Sequence, residues 1–187
     1  QQRLNIRWLP REGNFSFAAS NNFAAGQTGA EYLLLLNNDI IWEQDALPGM
    51  LQLLSDPGVG AVGLKLRDAF AAEDGKLSGA IQHLGVHWDW PQGSRLVLPF
   101  EMRSLSWLRS LETDIRRVPA VTGACLLCRR HEYLELGGLP EAYFYGYEDV
   151  DLCLGYVLTR GQEVLCDCRV SALHQRGFSR SSGNAAL

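Results

Sequence analysis

Apolar and polar positions along the chain fall into blocks with different periods. Residues 31–36, Glu31-Tyr32-Leu33-Leu34-Leu35-Leu36, form a nearly solid apolar run between Gly29 and the polar triplet Asn37-Asn38-Asp39. Such a run fits a strand covered on both faces of a sheet. Residues 21–30 before it read as a helix. After it, apolar residues at 46, 47, 50, 51, 53 and 54 make a helical stripe over residues 45–54, which stops at the turn signal Asp56-Pro57-Gly58. Residues 60–66 supply a second strand. Strand, helix and strand with short joins define a βαβ unit with parallel strands, and hence an open α/β sheet whose ligands gather at the carboxyl ends of the strands.

Residues 67–117 are less regular. Residues 80–90 suit a hairpin or a strand, and residues 96–111, mixing apolar and basic side chains, suit a loop or short helix over the site. Regularity returns with a strand at 124–129 and a helix at 130–136 ended by Gly137-Gly138. An aromatic stretch, Tyr143-Phe144-Tyr145-Gly146-Tyr147, leads into Glu148-Asp149-Val150-Asp151, which opens a helix running to about residue 160. Acidic residues in a first helical turn are favoured by the helix dipole. Residues 163–166 and 169–173 read as closing strands before a Gly/Ser/Arg-rich end.

Composition narrows the picture. The 187 residues carry 17 Lys+Arg against 21 Asp+Glu, a net charge of −4, with only 20% charged residues. One folded domain is expected, and the broad positive field that nucleic-acid binding requires is missing. The longest apolar runs, residues 32–36 and 124–128, are far short of the ~20 residues that span a bilayer. Five cysteines, an odd count without a signal-peptide pattern, fit a reducing compartment. The strand-like residues 4–9 follow Gln1 with no cap or turn before them, so a piece of a longer protein is expected.

Three segments could carry chemistry. Asn37-Asn38-Asp39 leaves the buried strand at the edge where ligands gather, and its carboxylate and amide oxygens are hard donors for Mg²⁺ or Mn²⁺. The same triplet would equally end a strand and cap a helix. Glu148-Asp149-x-Asp151 offers a general base for a hydroxyl nucleophile, beside aromatic rings that can stack on a sugar; the competing role is capping alone. His174 ends the last strand and is followed by Arg176 and Arg180. A neutral imidazole can complete a metal shell and the arginines can neutralise a diphosphate, although a lone histidine is often only hydrogen-bonded. His83, His87 and His131 show no partner pattern. Cys125-x-x-Cys128 and Cys166-x-Cys168 invite a zinc reading, but strand residues three apart point to opposite faces, and Leu126-Leu127 marks a buried strand where thiols pack as small apolar groups.

In their order and spacing, Asn14-Phe15-Ser16-Phe17-Ala18-Ala19-Ser20-Asn21-Asn22, the stretch from Gly29 to Asp39, Val121-Thr122-Gly123-Ala124-Cys125, Gly137-Gly138-Leu139, Tyr147-Glu148-Asp149-Val150-Asp151-Leu152-Cys153, and Ala172-Leu173-His174 with Ser179 resemble the family 2 glycosyltransferases. These enzymes transfer rhamnosyl, galactosyl and similar units in polysaccharide assembly for the cell envelope. The resemblance implies an α/β GT-A fold, Rossmann-like, with a mixed, mainly parallel sheet flanked by helices and lacking the first βα units. It implies one partial catalytic domain over residues 1–187. The donor would be a UDP-, dTDP- or GDP-sugar and the acceptor a saccharide or a lipid-linked sugar, on the cytoplasmic side and peripherally at the inner face of the membrane. Asn37-Asn38-Asp39 stands where the family has Asp-x-Asp, so Asp39 inherits the Mn²⁺ or Mg²⁺ contact, with Asn37, Asn38, Arg176 and Arg180 around the diphosphate. Glu148-Asp149 matches the acidic pair that supplies the base, with Asp149 the choice, and His174 matches a late metal-site histidine. Where relatives commonly have an arginine, this chain has Gly155. The alternative is an inactive truncated remnant or a sugar-binding module of the same fold.

Overall fold

The computed structural model describes residues 5–69, 80–89, 98–101, 114–143 and 146–175. In chain order it forms α1 (Phe17–Gly26), β1 (Tyr32–Leu36), β2 (Ile40–Trp42), α2 (Leu47–Leu54), β3 (Val59–Asp68), β4 (Ile81–His83), β5 (Val86–Asp89), β6 (Leu98–Glu101), β7 (Ile115–Arg117), β8 (Cys125–Arg129), α3 (Arg130–Glu135), α4 (Glu148–Leu154) continued by a π-helical turn (Gly155–Thr159), and β9 (Glu163–His174).

The main sheet has the order β1-β8-β3-β9-β2, with β4 also on β3 and β7 also on β9. β3 and β9 pair in parallel, whereas β1–β8, β8–β3, β3–β4, β9–β2 and β9–β7 are antiparallel. The expected mixed sheet is present, with a smaller parallel share than the sequence pattern suggests. β1 and β3 do run the same way, as the strand–helix–strand pattern requires, but β8 is inserted between them. β5 and β6 form a separate ribbon, so residues 98–101 are strand rather than loop or helix; residues 96–97 and 102–111 of that stretch lie outside the described residues.

Two apolar layers sandwich the sheet. On one face Ala61, Leu126, Cys128, Val164, Cys166 and Cys168 pack with Tyr133, Leu152 and Tyr156. On the other, Val62, Leu64, Cys125, Leu127 and Leu165 pack against Met50 and Leu54 of α2. Alternation along β8 sends Cys125 and Cys128 into different layers, and burial pushes each thiol up to about 12. Backbones approach closely where side chains would not fit: a Cβ on Gly63 would stand 2.6 Å from Val121 Cβ.

Several element boundaries differ from the sequence reading. α1 begins at Phe17 because the Ser16 hydroxyl accepts from Ala19 N–H (3.1 Å) as an N-cap, four residues before the expected start. The two closing strands are one strand. Opposite Leu64 and Lys65 of β3, β9 carries Asp167 and then Ser171, so Cys168, Arg169 and Val170 form a bulge. The buried Asp167 carboxylate there is held by Arg169 at 2.9 and 2.8 Å. The helix opened by Glu148 loses α-helical pairing after Leu154, where Gly155 sits against Leu136.

Candidate functional site

The carboxyl ends of β1, β3 and β9 meet at one edge of the sheet. Leu36 pairs with Cys125, Asp68 with His174, and Ile40 of β2 with His174. Asn37-Asn38-Asp39 does not cap a helix: Ile40 N–H donates to the Asn37 carbonyl (3.3 Å), closing a turn that leads into β2. Asn37 N–H donates to the Ala124 carbonyl (2.9 Å), and the Asp39 carbonyl accepts from Gln175 N–H (3.1 Å). The turn is thereby fastened to the start of β8 and the end of β9, with Asn38 exposed at its tip.

This anchoring brings Asp39 and His174 together. Their side chains are 18% and 9% exposed, and His174 Nε2 lies 3.3 Å from Asp39 Oδ1. Among the described residues no hydrogen bond satisfies that buried oxygen. A buried acceptor left open next to an imidazole nitrogen fits a hard divalent cation, which takes carboxylate and imidazole donors and leaves its other positions to phosphate oxygens and water. Among the described residues no cluster of three or more His, Cys, Asp or Glu side chains converges to hold a metal ion.

Behind the pair stands Gln82 of β4, a buried residue absent from the expected set. Its Nε2 donates to the His174 carbonyl (2.9 Å) and to Asp68 Oδ1, while its Oε1 meets His174 Nδ1 at 3.1 Å. His83, next in β4 and fully buried, accepts at Nε2 from Thr122 N–H (3.3 Å) and so supports the segment before β8.

The acidic pair lies on the other side of that segment. Asp149 Oδ2 accepts from Gly123 N–H and Oδ1 from Val150 N–H, both at 2.8 Å. Since Ala124 follows Gly123 and binds Asn37, two hydrogen bonds and one peptide link Asp149 to the Asp39 turn. Glu148 differs from Asp149. Among the described residues its buried Oε2 has no hydrogen-bond partner, and burial, followed by the neighbouring Asp149 charge, raises its pKa against the lowering effect of its own N–H and that of Gly146. The turn into this helix is tight, with Tyr147 at φ 75°, a left-handed conformation unusual for a side chain of its size. Arg176 and Arg180, the expected diphosphate partners, lie outside the described residues, as do Phe144, Tyr145 and Ser179.

The architecture is that of the GT-A glycosyltransferases. A structure of GalNAc-T7 with UDP, GalNAc and Mn²⁺ is similar with a TM-score of 0.66 at 15% identity, over 88% of this chain and 31% of that one. The mannosyltransferase PcManGT of Pyrobaculum calidifontis, in complex with GDP-Man and Mn²⁺, is similar with a TM-score of 0.54 at 17% identity, over 91% of this chain and 39% of that one. Residues 1–104 match the family described as Glycosyl transferase family 2, and the chain belongs to that family. It is 31% identical over 178 residues to the O-antigen biosynthesis protein RfbC of Myxococcus xanthus, covering 89% of this chain and 12% of that protein. It is also 27% identical over 175 residues to an N-acetylglucosaminyl-diphospho-decaprenol L-rhamnosyltransferase of Mycobacterium tuberculosis, covering 81% of this chain and 53% of that one. The chain thus spans about half, or far less, of the length of these relatives.

Proposed function

We propose that the chain carries the donor and base sites of a metal-dependent, inverting glycosyltransferase that moves a sugar from a nucleoside diphosphate to a saccharide or lipid-linked acceptor. Residues 1–187 would belong to one catalytic domain, working at the cytoplasmic face of the membrane. The observation that carries the reading is the Asp39–His174 pair, with its open carboxylate oxygen, at the strand ends. Family membership supports a UDP-, dTDP- or GDP-sugar as the donor.

Asp39 and His174 would hold Mn²⁺ or Mg²⁺, which when bound supplies Lewis-acid stabilisation of the departing diphosphate. Asn37 and Asn38 border that diphosphate, and Arg176 and Arg180 would add positive charge to it. Asp149, fixed by Gly123 N–H, takes the proton from the acceptor hydroxyl. The acceptor oxygen bonds to the anomeric carbon from one face as the bond to the diphosphate oxygen breaks on the other, so configuration inverts.

One observation favours a second reading, binding without turnover: both Asp149 oxygens already accept backbone N–H groups. Calorimetric titration with UDP, dTDP and GDP, in Mn²⁺ and then in EDTA, tests the donor site. Binding by one nucleotide that needs the metal and is weakened at least tenfold in Asp39→Ala is expected; equal heats with and without metal would remove Asp39 from a metal role. Release of nucleoside diphosphate from the matching sugar donor then separates the transferase from the binding module.

A further inference from the structure

We propose that Gln82 is a positioning residue that holds His174 in the tautomer with its proton on Nδ1, the form whose Nε2 can ligate a cation beside Asp39, with Asp68 setting the Gln82 amide. The inference rests on the metal-site reading above and extends it to residues on two other strands.

An amide side chain can flip, exchanging a donor for an acceptor, so its orientation must be argued from its neighbours. Here the neighbours decide it. The His174 carbonyl and the Asp68 carboxylate are both acceptors and both face the same end of the Gln82 amide. Only the NH₂ group can stand there. The carbonyl oxygen of Gln82 is then turned to His174 Nδ1 at 3.1 Å, and a bond between those two atoms needs the proton on Nδ1. In a neutral imidazole with a proton on Nδ1, Nε2 carries a lone pair. Nε2 stands 3.3 Å from Asp39 Oδ1, so either a second proton on the ring or a cation must lie between them.

Two acceptors facing each other inside the protein repel unless something positive lies between them. Asp68, Gln82 and His174 therefore form a relay from carboxylate to amide to imidazole that prepares a cation ligand, the arrangement by which an outer partner fixes ring orientation at metal sites. The relay is buried: Gln82 is 4% and His174 7% exposed. It also bridges β4, β3 and β9, because Asp68 and His174 are register partners and Ala69 N–H donates to the His174 carbonyl (3.3 Å).

Two measurements test this. The first is a long-range ¹H–¹⁵N correlation spectrum of the histidine-labelled chain without metal, in alkaline buffer. A His174 protonated at Nδ1 is expected; a ring protonated at Nε2 would overturn the proposal and leave the metal site standing. The second is Mn²⁺ affinity by electron paramagnetic resonance, with UDP present, for wild type, Gln82→Leu and Gln82→Glu. Loss of the outer partner should weaken binding about 10- to 100-fold in Gln82→Leu, together with loss of the Nδ1–H signature. Gln82→Glu keeps an acceptor for Nδ1 but sets its second oxygen against the Asp68 carboxylate and the His174 carbonyl, so it should retain the Nδ1–H signature that Gln82→Leu loses while losing the donor side of the relay. Unchanged affinity in a folded Gln82→Leu would overturn the proposal. Absence of Mn²⁺ binding in wild type would overturn the metal-site reading itself, a result distinct from the tautomer because the spectrum is recorded without metal. Should Gln82→Leu fail to fold, the wild-type spectrum still decides the tautomer.

Discussion

The two carboxylates that open α4 are adjacent in sequence and unequal in circumstance. Asp149 gives both oxygens to backbone N–H groups, so it is held still; Glu148 has a buried oxygen without a partner among the described residues. The difference shapes how each should be tested. In Asp149→Asn an NH₂ group must face either Gly123 N–H or Val150 N–H, leaving donors opposed at a cost of about 1–3 kcal/mol. The substitution therefore lowers stability as well as removing a base, and turnover should be compared at equal folded fraction. A further loss of about 10²- to 10⁴-fold in transfer rate is expected if Asp149 is the base. Glu148→Gln should do the reverse to stability. A carboxyl whose pKa is raised by folding binds its proton more tightly in the folded state, so stability falls as pH rises from its ordinary value of 4.5 through the folded one. Glu148→Gln removes that penalty, and thermal melts should show a gain at neutral pH that vanishes in acid. If instead Glu148→Gln abolishes transfer and Asp149→Asn, corrected for folding, does not, the base is Glu148.

Among the elements, the best example of a motif explained by structure is Asn22. From α1 its side chain reaches the Gly137-Gly138-Leu139 turn: Nδ2 donates to the Leu139 carbonyl (2.8 Å) and Glu141 Oε1 (3.0 Å), while Oδ1 accepts from Tyr133 O–H (2.5 Å) and Leu139 N–H (2.9 Å). Gly138 faces that amide with φ +74°, and any Cβ there would collide with it. Asn22→Ala strands the Tyr133 hydroxyl and the backbone of Leu139, so denaturant unfolding should report a loss of about 2–4 kcal/mol; a loss below 0.5 kcal/mol would mean that water replaces the latch.

The same element scale shows what sequence reveals. The solid run of β1 and the acidic start of α4 were legible because each is set by neighbours in the chain. β2 was not: three residues are too few to show a period, and the polar triplet before it mimics a helix cap. β9 read as two strands because Asp167 and Arg169 look like a break, whereas in the fold they pair with each other at a bulge. Gln82 and Asp68 were hidden for a different reason. Gln82 acts on a partner 92 positions away, and Asp68 acts through Gln82, in a sheet register that no local pattern encodes.

Across the whole molecule, the two ends of the sheet have opposite characters. At the carboxyl edge Asp39 Oδ1 has no hydrogen bond among the described residues, a local cost that ligand binding would remove. At the amino edge a buried charge network is satisfied throughout. Arg129, ending β8, donates to the carbonyls of Val59 and Asp56 (both 2.8 Å) and of Leu54, and to Glu132 (3.2 Å). Glu132 also accepts from Arg160 (3.1 Å) and Gln162 (2.8 Å), which joins α2, β3, β8, α3 and the approach to β9. Burial alone would push the Glu132 pKa up, but Gln162, Arg129 and Arg160 together outweigh it and hold the carboxyl below its ordinary 4.5. A depressed carboxyl contributes stability that is present above its ordinary pKa and lost as pH falls through the folded one. Glu132→Gln should therefore cost about 3–5 kcal/mol at neutral pH, as for other broken buried pairs. Melts in increasingly acidic buffer should show the gap to wild type closing. Because the network lies at the far end of the strands, Mn²⁺ affinity of the folded variant should remain within twofold of wild type, whereas Asp39→Ala should lose affinity without losing stability. A Glu132→Gln chain that is as stable as wild type at neutral pH, or that loses metal affinity while folded, would show that the two ends are not separate in this way.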